Sequence, residues 1–439
     1  MAILAAISCY TFSIIARVGD AVGEDTYRAT WAKIFGERTA AIPDCVVCFE
    51  CFFGAVAFSI IIGDTFAALG SLAGLPPLLC RPNTWILLLS GAVLLPLCLL
   101  RDLSSLAYGS VIGNAGTLCA AALAPRPRPE RPYPCTRILY AFTHRGAAPG
   151  RYTAIFMTVR ALDGSYRPGG KFHALVPPAM RPSFTALDAA GGPRSLLNPS
   201  LFVLVSMLST AFLAHFNANK LYNELAPPAD GSPKIGRFNA ASAVAFAIAA
   251  LLSGGIAAAG FLTFGASSQG LILNNYATGD RMASLARLGI GLSIVFSYPL
   301  NFLALRSGVH GMLKLDGASG PVHLVSTLLL FGAATALSML IKDLGLLIAL
   351  PGALLGSALV YIFPALMAIG NAKQAAAAAA AGGGPKPAGG ARPRQAAAAA
   401  AKPAAVRSRA ELVVNYGLVG LGVVLAVVGG AVTLNDYYG

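Results

Sequence analysis

Long apolar runs separated by short polar stretches organise the chain. A helix crosses a bilayer with roughly 20 mostly apolar residues, within a range of about 17–25. Ten runs approach that length: 1–16, 43–63, 84–100, 103–124, 197–217, 238–264, 284–305, 321–341, 344–370 and 411–434. The first is short. It starts at Met1, has no basic flank before it and ends at Arg17, so it reads as a truncated helix rather than a signal peptide.

Basic residues give the runs an orientation, because short cytoplasmic loops carry the excess of lysine and arginine. The alternate loops 17–42, 101–102, 218–237, 306–320 and 371–410 hold 17 basic residues, whereas the opposite short loops hold only Arg81, Arg281, Arg287 and Lys342. The first set is therefore cytoplasmic. Residues 125–196 carry eleven arginines and lysines yet fall on the outer side, which is permitted because long loops escape the charge rule. The Pro-Arg-rich stretch from Pro125 to Pro134 suggests an extended linker. A variable loop and retained non-coding sequence both fit this segment.

The expected organisation is thus membrane spans at 1–124 with the first truncated, a long external loop at 125–196 expected to be disordered, and further spans at 197–370. A basic Ala/Gly/Pro-rich cytoplasmic linker follows at 371–410, then a last span at 411–434. The fold class is an all-α polytopic membrane protein.

Composition agrees. Charged residues make up 11% of the 439 and apolar residues 56%, with a mean hydropathy of +0.68. A soluble domain is about a quarter charged, so this chain lacks the charge to cover its own surface in water. The net charge of +14 lies in the loops between apolar runs, a layout that faces anionic lipid and argues against nucleic acid as a partner. Most of the eight cysteines sit within apolar runs, so no disulfide framework is implied. Cys45, Cys48 and Cys51 share a helix face but lack the polar neighbours of a metal site, and helix packing is the plainer reading.

Enzyme motifs are missing. Gly164–Lys171 has the wrong spacing for a phosphate loop, and there is no Gly-x-Ser-x-Gly elbow, no His-Glu-x-x-His and no carboxylate pair inside a span. His310, His323 and Asp316 cluster only in a short loop. No enzyme, catalytic residue, metal ligand or cofactor is expected.

Polar residues inside the runs are more informative, since an unsatisfied group in hydrocarbon costs several kcal/mol. Glu50 lies about seven residues into its run, ~10 Å deep at 1.5 Å per residue. It is either a functional carboxylate, a structural partner of a base such as Arg17, or a side chain reaching toward the cytoplasm. Ser206, Ser209 and Thr210 share one flank of the fifth run, and polar residues accumulate beyond them toward His215, Asn217 and Asn219. Either interhelical glue or a discontinuous, cavity-lining helix has this appearance. His215 fits an interface hydrogen bond equally well. Ser297-Tyr298-Pro299 interrupts the seventh run, and proline frees a carbonyl near Val295 beside the Ser297 hydroxyl. That is raw material for a monovalent-cation site, or for an ordinary kink.

Several short stretches, in order and spacing, resemble the amino acid/auxin permease family, especially its neutral and vacuolar amino-acid transporter branches. They are Ile61-Ile62-Gly63-Asp64, Leu95-Pro96-Leu97 through Arg101-Asp102-Leu103-Ser104-Ser105-Leu106, Ala214-His215-Phe216-Asn217-Ala218-Asn219-Lys220 running on to Leu225, Leu262-Thr263-Phe264-Gly265, Asn275-Tyr276, Ser297-Tyr298-Pro299-Leu300, and Gly352-Ala353-Leu354-Leu355-Gly356-Ser357 reaching Leu366. The resemblance covers 1–124, 197–370 and 411–434. It implies a LeuT-like inverted-repeat helical bundle in which the ten runs are family spans two to eleven, with the first family span missing. It also implies a secondary active transporter of small or neutral amino acids, coupled to Na⁺ or H⁺ and working by alternating access. A truncated, transport-inactive or amino-acid-sensing protein is the alternative. On the resemblance, Gly54, Ser206, Ser209 and Thr210 would flank the substrate, while Ser297, His215 and Glu50 would serve ion coupling. The expected partners are an amino acid and the bilayer, the expected state a monomer, and the expected home the plasma membrane or a vacuolar or endolysosomal membrane.

Overall fold

A computed structural model describes residues 1–100, 148–184, 200–226, 233–315, 320–341, 343–380 and 408–438. The run at 103–124, the Pro-Arg-rich stretch, Asp316 and most of the 371–410 linker lie outside the described residues. Twelve helices follow in order: α1 (Ala2–Val22), α2 (Tyr27–Phe35), α3 (Ala41–Leu72), α4 (Pro82–Leu99), α5 (Ala148–Asp163), α6 (Ser200–Ala211), α7 (Ala218–Glu224), α8 (Lys234–Phe264), α9 (Arg281–Met312), α10 (Gly320–Leu340), α11 (Leu344–Ala380) and α12 (Arg409–Asn435). Among the described residues the only pairing of β type is an isolated bridge between Ser183 and Gly265. Among the described residues nine helical segments, counting α6 and α7 together, are long and apolar enough to cross a membrane. The protein is an all-α, multi-pass membrane protein, and these nine coincide with nine of the ten apolar runs.

The chain divides into two compact units: residues 1–47, 199–247 and 349–439, and residues 48–198 and 248–348. In the first, α1 packs with α7, α11 and α12. Ile7, Tyr10, Phe202, Val205 and Leu213 close over a core of Val360, Tyr361, Ala365, Leu418 and Leu425. Contrary to the sequence expectation, α1 is not cut short at Arg17. Arg17 donates to Glu411 at 2.6 Å, so its charge is answered inside the protein and the helix runs on. It stops at Gly23, whose left-handed φ of 76° is open to glycine at no steric cost. Glu411 is held in turn: Ser408 caps α12 by accepting from the Glu411 amide. At the far end of α11 the helix continues past residue 370 to Ala380, because an alanine tract has the highest helix propensity of any sequence.

In the second unit α3 and α9 lie antiparallel. Cys48 meets Leu305, Cys51 meets Asn301, and Thr65 and Phe66 lie against Gly291. Arg306 binds the carbonyls of Cys98 and Leu100 at the end of α4 and the Thr327 hydroxyl on α10. Residues 148–184, expected to be disordered, are folded. Their core is Phe156, Met157, Tyr166, Phe172 and Val176, packed on Phe264, Leu273, Tyr276, Ala283 and Ala286. Asp280, fully buried, fixes this cap. It accepts from Arg160 at 2.8 and 2.9 Å, from the Tyr166 hydroxyl at 3.1 Å and from the Met282 amide at 3.0 Å. Burial, then the neighbouring Asp280 charge, raises the Tyr166 phenol well above its ordinary pKa and keeps it a donor. Composition alone hides this segment because its decisive partners lie more than a hundred residues away.

Arg160→Met strands the Asp280 carboxylate. The expected cost is about 3–5 kcal/mol, read as a lower unfolding midpoint of the purified protein. Adding Asp280→Asn recovers part of the loss. A midpoint unchanged by Arg160→Met would show that the pair does not hold the cap.

Candidate functional site

The span Leu201–Glu224 is broken. Its first half, α6, ends at Ala211, where the bonding tightens: Phe212 shares its amide between the α-helical acceptor Leu208 and Ser209, one residue nearer along the chain, and Leu213 donates to Thr210. A single 3₁₀ turn, His215–Asn217, then leads into α7. The α-helical hydrogen-bond ladder therefore stops inside a membrane span, and of the two readings left open by the polar residues the span is discontinuous. Such backbone is tolerated only where protein or a polar cavity surrounds it.

Ser206, Ser209 and Thr210 are brought together on the α6 flank that meets α11 and α12. Both of those helices loosen there into π turns, at Gly352–Gly356 in α11 and Leu425–Gly429 in α12. A π turn adds a residue to the helical circuit and is often found at functional sites. Ser206 donates to the Phe202 carbonyl at 2.7 Å. Ser209 bonds the Val205 carbonyl at 2.8 Å and the Tyr361 hydroxyl at 2.9 Å. The Thr210 hydroxyl is sealed from solvent without a hydrogen-bond partner. It lies so close to α11 that a Cβ on Gly352 would stand 2.6 Å from it, and one on Gly356 3.1 Å. Ser357, fully buried, also has an unpartnered hydroxyl.

His215 is in the same unit but is directed to α1. Its Nε2 lies 2.9 Å from Thr11 Oγ1 and 3.2 Å from the Ser8 carbonyl, and Phe12 meets its ring edge-on at 5.9 Å. Asn219, on α7, donates to the Thr26 carbonyl and, at 2.6 Å, to the Thr30 hydroxyl. The second half of the broken span is thus stitched to α1 and α2 by buried polar bonds.

The other candidates belong to the second unit. Gly54 faces Asn301, whose amide would stand 3.4 Å from a Cβ at that position. Asn301 donates to the Cys51 carbonyl at 2.7 Å. Ser297 lies one turn before Asn301 on α9 and donates back to the Ser293 carbonyl at 2.8 Å, within a helix that stays continuous through Pro299. Glu50 is half-buried, and its Oε2 is sealed without a hydrogen-bond partner. Arg17, weighed above as a partner for Glu50, bonds Glu411.

Sequence reasoning missed Thr11, Tyr361, Ser357 and Asn301. Ser8 and Thr11 are spaced three apart in the first run, and Gly352 and Gly356 four apart in the ninth, so both patterns were available as packing signals. Among the described residues no group of three or more His, Cys, Asp or Glu is placed to hold a metal ion.

A multi-pass α-helical protein with a broken span of this kind matches the family model described as "Transmembrane amino acid transporter protein" over residues 1–160 and 179–380. The chain belongs to that family. The match takes in residues 125–160, which the sequence resemblance had left out, and ends before the last span. Its relatives include "Putative sodium-coupled neutral amino acid transporter 11" from Danio rerio, 31% identical over 162 residues (37% of this chain, 35% of the relative). The protein of the same name from Bos taurus is 23% identical over 359 residues, covering 81% of this chain and 65% of the relative. "Amino acid transporter AVT6E" from Arabidopsis thaliana is 28% identical over 233 residues, covering 50% and 43%. The alignments thus span from about a third to just under two thirds of these relatives' lengths.

His215→Ala removes the inter-helix partner of the fully buried Thr11 hydroxyl, whose other bonds are to the Ile7 and Ser8 carbonyls of its own helix, and so cuts the tie between α1 and the turn before α7. A loss of about 2 kcal/mol is expected, with Thr11→Val costing about half as much. Unfolding midpoints of the purified variants measure both, and equal stability of all three proteins would contradict the assigned bond.

Proposed function

We infer that this chain is a secondary active transporter of small or neutral amino acids, driven by Na⁺ or H⁺ and operating by alternating access. The observation that carries this reading is the interruption of the span Leu201–Glu224 at the end of α6, with Ser206, Ser209 and Thr210 on the preceding turn. The C-terminal end of a helix carries partial negative charge and suits an ammonium group or a cation. Hydroxyls beside it bind polar groups without demanding a charged side chain, which suits a substrate of no net charge. The names of the relatives support amino acids as the class of solute.

Within this reading Ser206, Ser209 and Thr210 contact the substrate and Gly54 lines its path. Ser297 is assigned to a coupling cation. For proton coupling Glu50 is favoured over His215: both keep one buried atom without a partner, Oε2 and Nδ1, but the imidazole is already anchored to α1 through its Nε2. The alternative of an amino-acid sensor uses the same residues for binding and differs only in producing no net flux.

Uptake of radiolabelled alanine or glutamine into proteoliposomes tests the proposal. Accumulation above equilibrium is expected under an inward Na⁺ gradient or an inward proton gradient. Thr210→Val is expected to lower uptake at least about tenfold, the loss that follows when a 1.4 kcal/mol contact disappears. If the driving ion is Na⁺, Ser297→Ala should weaken the dependence on it; if it is H⁺, Glu50→Gln should abolish the response to the pH gradient. Binding of labelled amino acid without uptake under either gradient would leave the sensor and sink the transporter.

A further inference from the structure

The second unit contains a buried cation that none of the bonds so far described neutralises. Arg287, on α9, is 2% exposed. Its Nη2 donates to the carbonyls of Leu273 and Tyr276, at 2.7 and 2.6 Å, and so closes the 3₁₀ turn Ile272–Asn275. Nε and Nη1 are sealed from solvent and have no hydrogen-bond partner. Among the described residues no carboxylate stands within ion-pair distance of this guanidinium.

That arrangement is costly. Carbonyl dipoles satisfy two hydrogens but leave the charge, and an unpaired buried ion carries a penalty of several kcal/mol. The nearby acid makes no direct bond to it. Asp280 already accepts four hydrogen bonds, two from Arg160, one from Tyr166 and one from the Met282 amide. Asp163 bonds Arg160 and is about a third exposed, so water screens it. The α9 face that bears Arg287 is covered one turn further on by α3, where Gly291 touches Thr65. Thr65 is 2% exposed, and its hydroxyl is a further buried group without a partner.

We propose that Arg287 binds a compact monovalent anion, either a halide or the carboxylate of a free amino acid, through its unspent Nε and Nη1. Divalent anions are disfavoured, since one guanidinium balances one charge. By the loop charges Arg287 lies toward the outer side, so the ligand is drawn from the extracellular or luminal fluid. The proposal uses none of the α6 hydroxyls and does not depend on transport.

The test uses the full-length protein in detergent, with chloride replaced by gluconate at constant ionic strength. Adding 100 mM chloride or bromide is expected to raise the unfolding midpoint by about 3 °C through preferential binding to the folded state. Arg287→Gln should abolish that rise. A parallel titration with glycine in gluconate separates the sources: a rise lost in Arg287→Gln with glycine alone assigns the carboxylate, and one with halide alone assigns the halide. Should the variant fail to fold, a bromide-soaked structure decides, with anomalous density expected within hydrogen-bonding reach of the guanidinium. No rise with either ligand in the wild-type protein, a rise that survives in Arg287→Gln, or no bromide density together with no glycine effect overturns the proposal.

Discussion

Hydrocarbon offers no hydrogen-bond partner, so each place where this chain departs from the α-helix inside a membrane span must be answered by the protein itself. The break after Ala211 shows the answer. The last α6 amides double back to Leu208, Ser209 and Thr210, and the turn at His215 is tied through its imidazole to Thr11 and the Ser8 carbonyl. Small residues make the rest possible. Gly352 and Gly356 let α11 close on Thr210, and Gly19 leaves room for Asn219, whose side chain a Cβ there would meet at 2.8 Å. Polar bonds and close backbone approach are thus two halves of one solution.

The same constraint governs charge. Three arginines work as clamps on backbone or carboxylate. Arg306 gathers the end of α4 against α10, Arg17 joins α1 to α12, and Arg160 fixes the outer cap on Asp280. Guanidinium suits this work because its planar fork spreads one charge over several directed donors. Arg287 follows the pattern with its Nη2 alone, which is why its two remaining nitrogens stand out.

Hydropathy made the spans legible because lipid selects for length and apolarity alone, and those are properties of a contiguous run. What depended on distant partners was not legible. Arg17 looked like the end of a helix, since nothing local answers its charge; Glu411 does so from 394 residues away. Residues 148–184 read as part of a disordered loop on the strength of the Pro-Arg-rich stretch before them, because Asp280 and Tyr276, against which they pack, lie far along the chain. The hydroxyl flank of α6 was read correctly as a shared face, yet its neighbours were beyond reach. Tyr361 is 152 residues further on, and no periodicity in either segment announces the pair.

The two halves of the broken span are held differently, and that difference bears on the proposed cycle. Beyond the break, His215 and Asn219 make buried bonds to α1, to the turn after it and to α2, and several would be lost together if α7 moved alone. Before the break, Ser206 and Ser209 spend their hydroxyls largely on their own helix, and Thr210 spends nothing. The one bond from these hydroxyls to a neighbouring side chain joins two groups that each donate or accept, Ser209 and Tyr361, so a ligand can replace either partner without stranding a charge. Alternating access requires one element that stays fixed and one whose contacts can be exchanged. In this span the α7 half is suited to the first role. The α6 half, facing π turns in α11 and α12 rather than closed α-helical turns, is suited to the second.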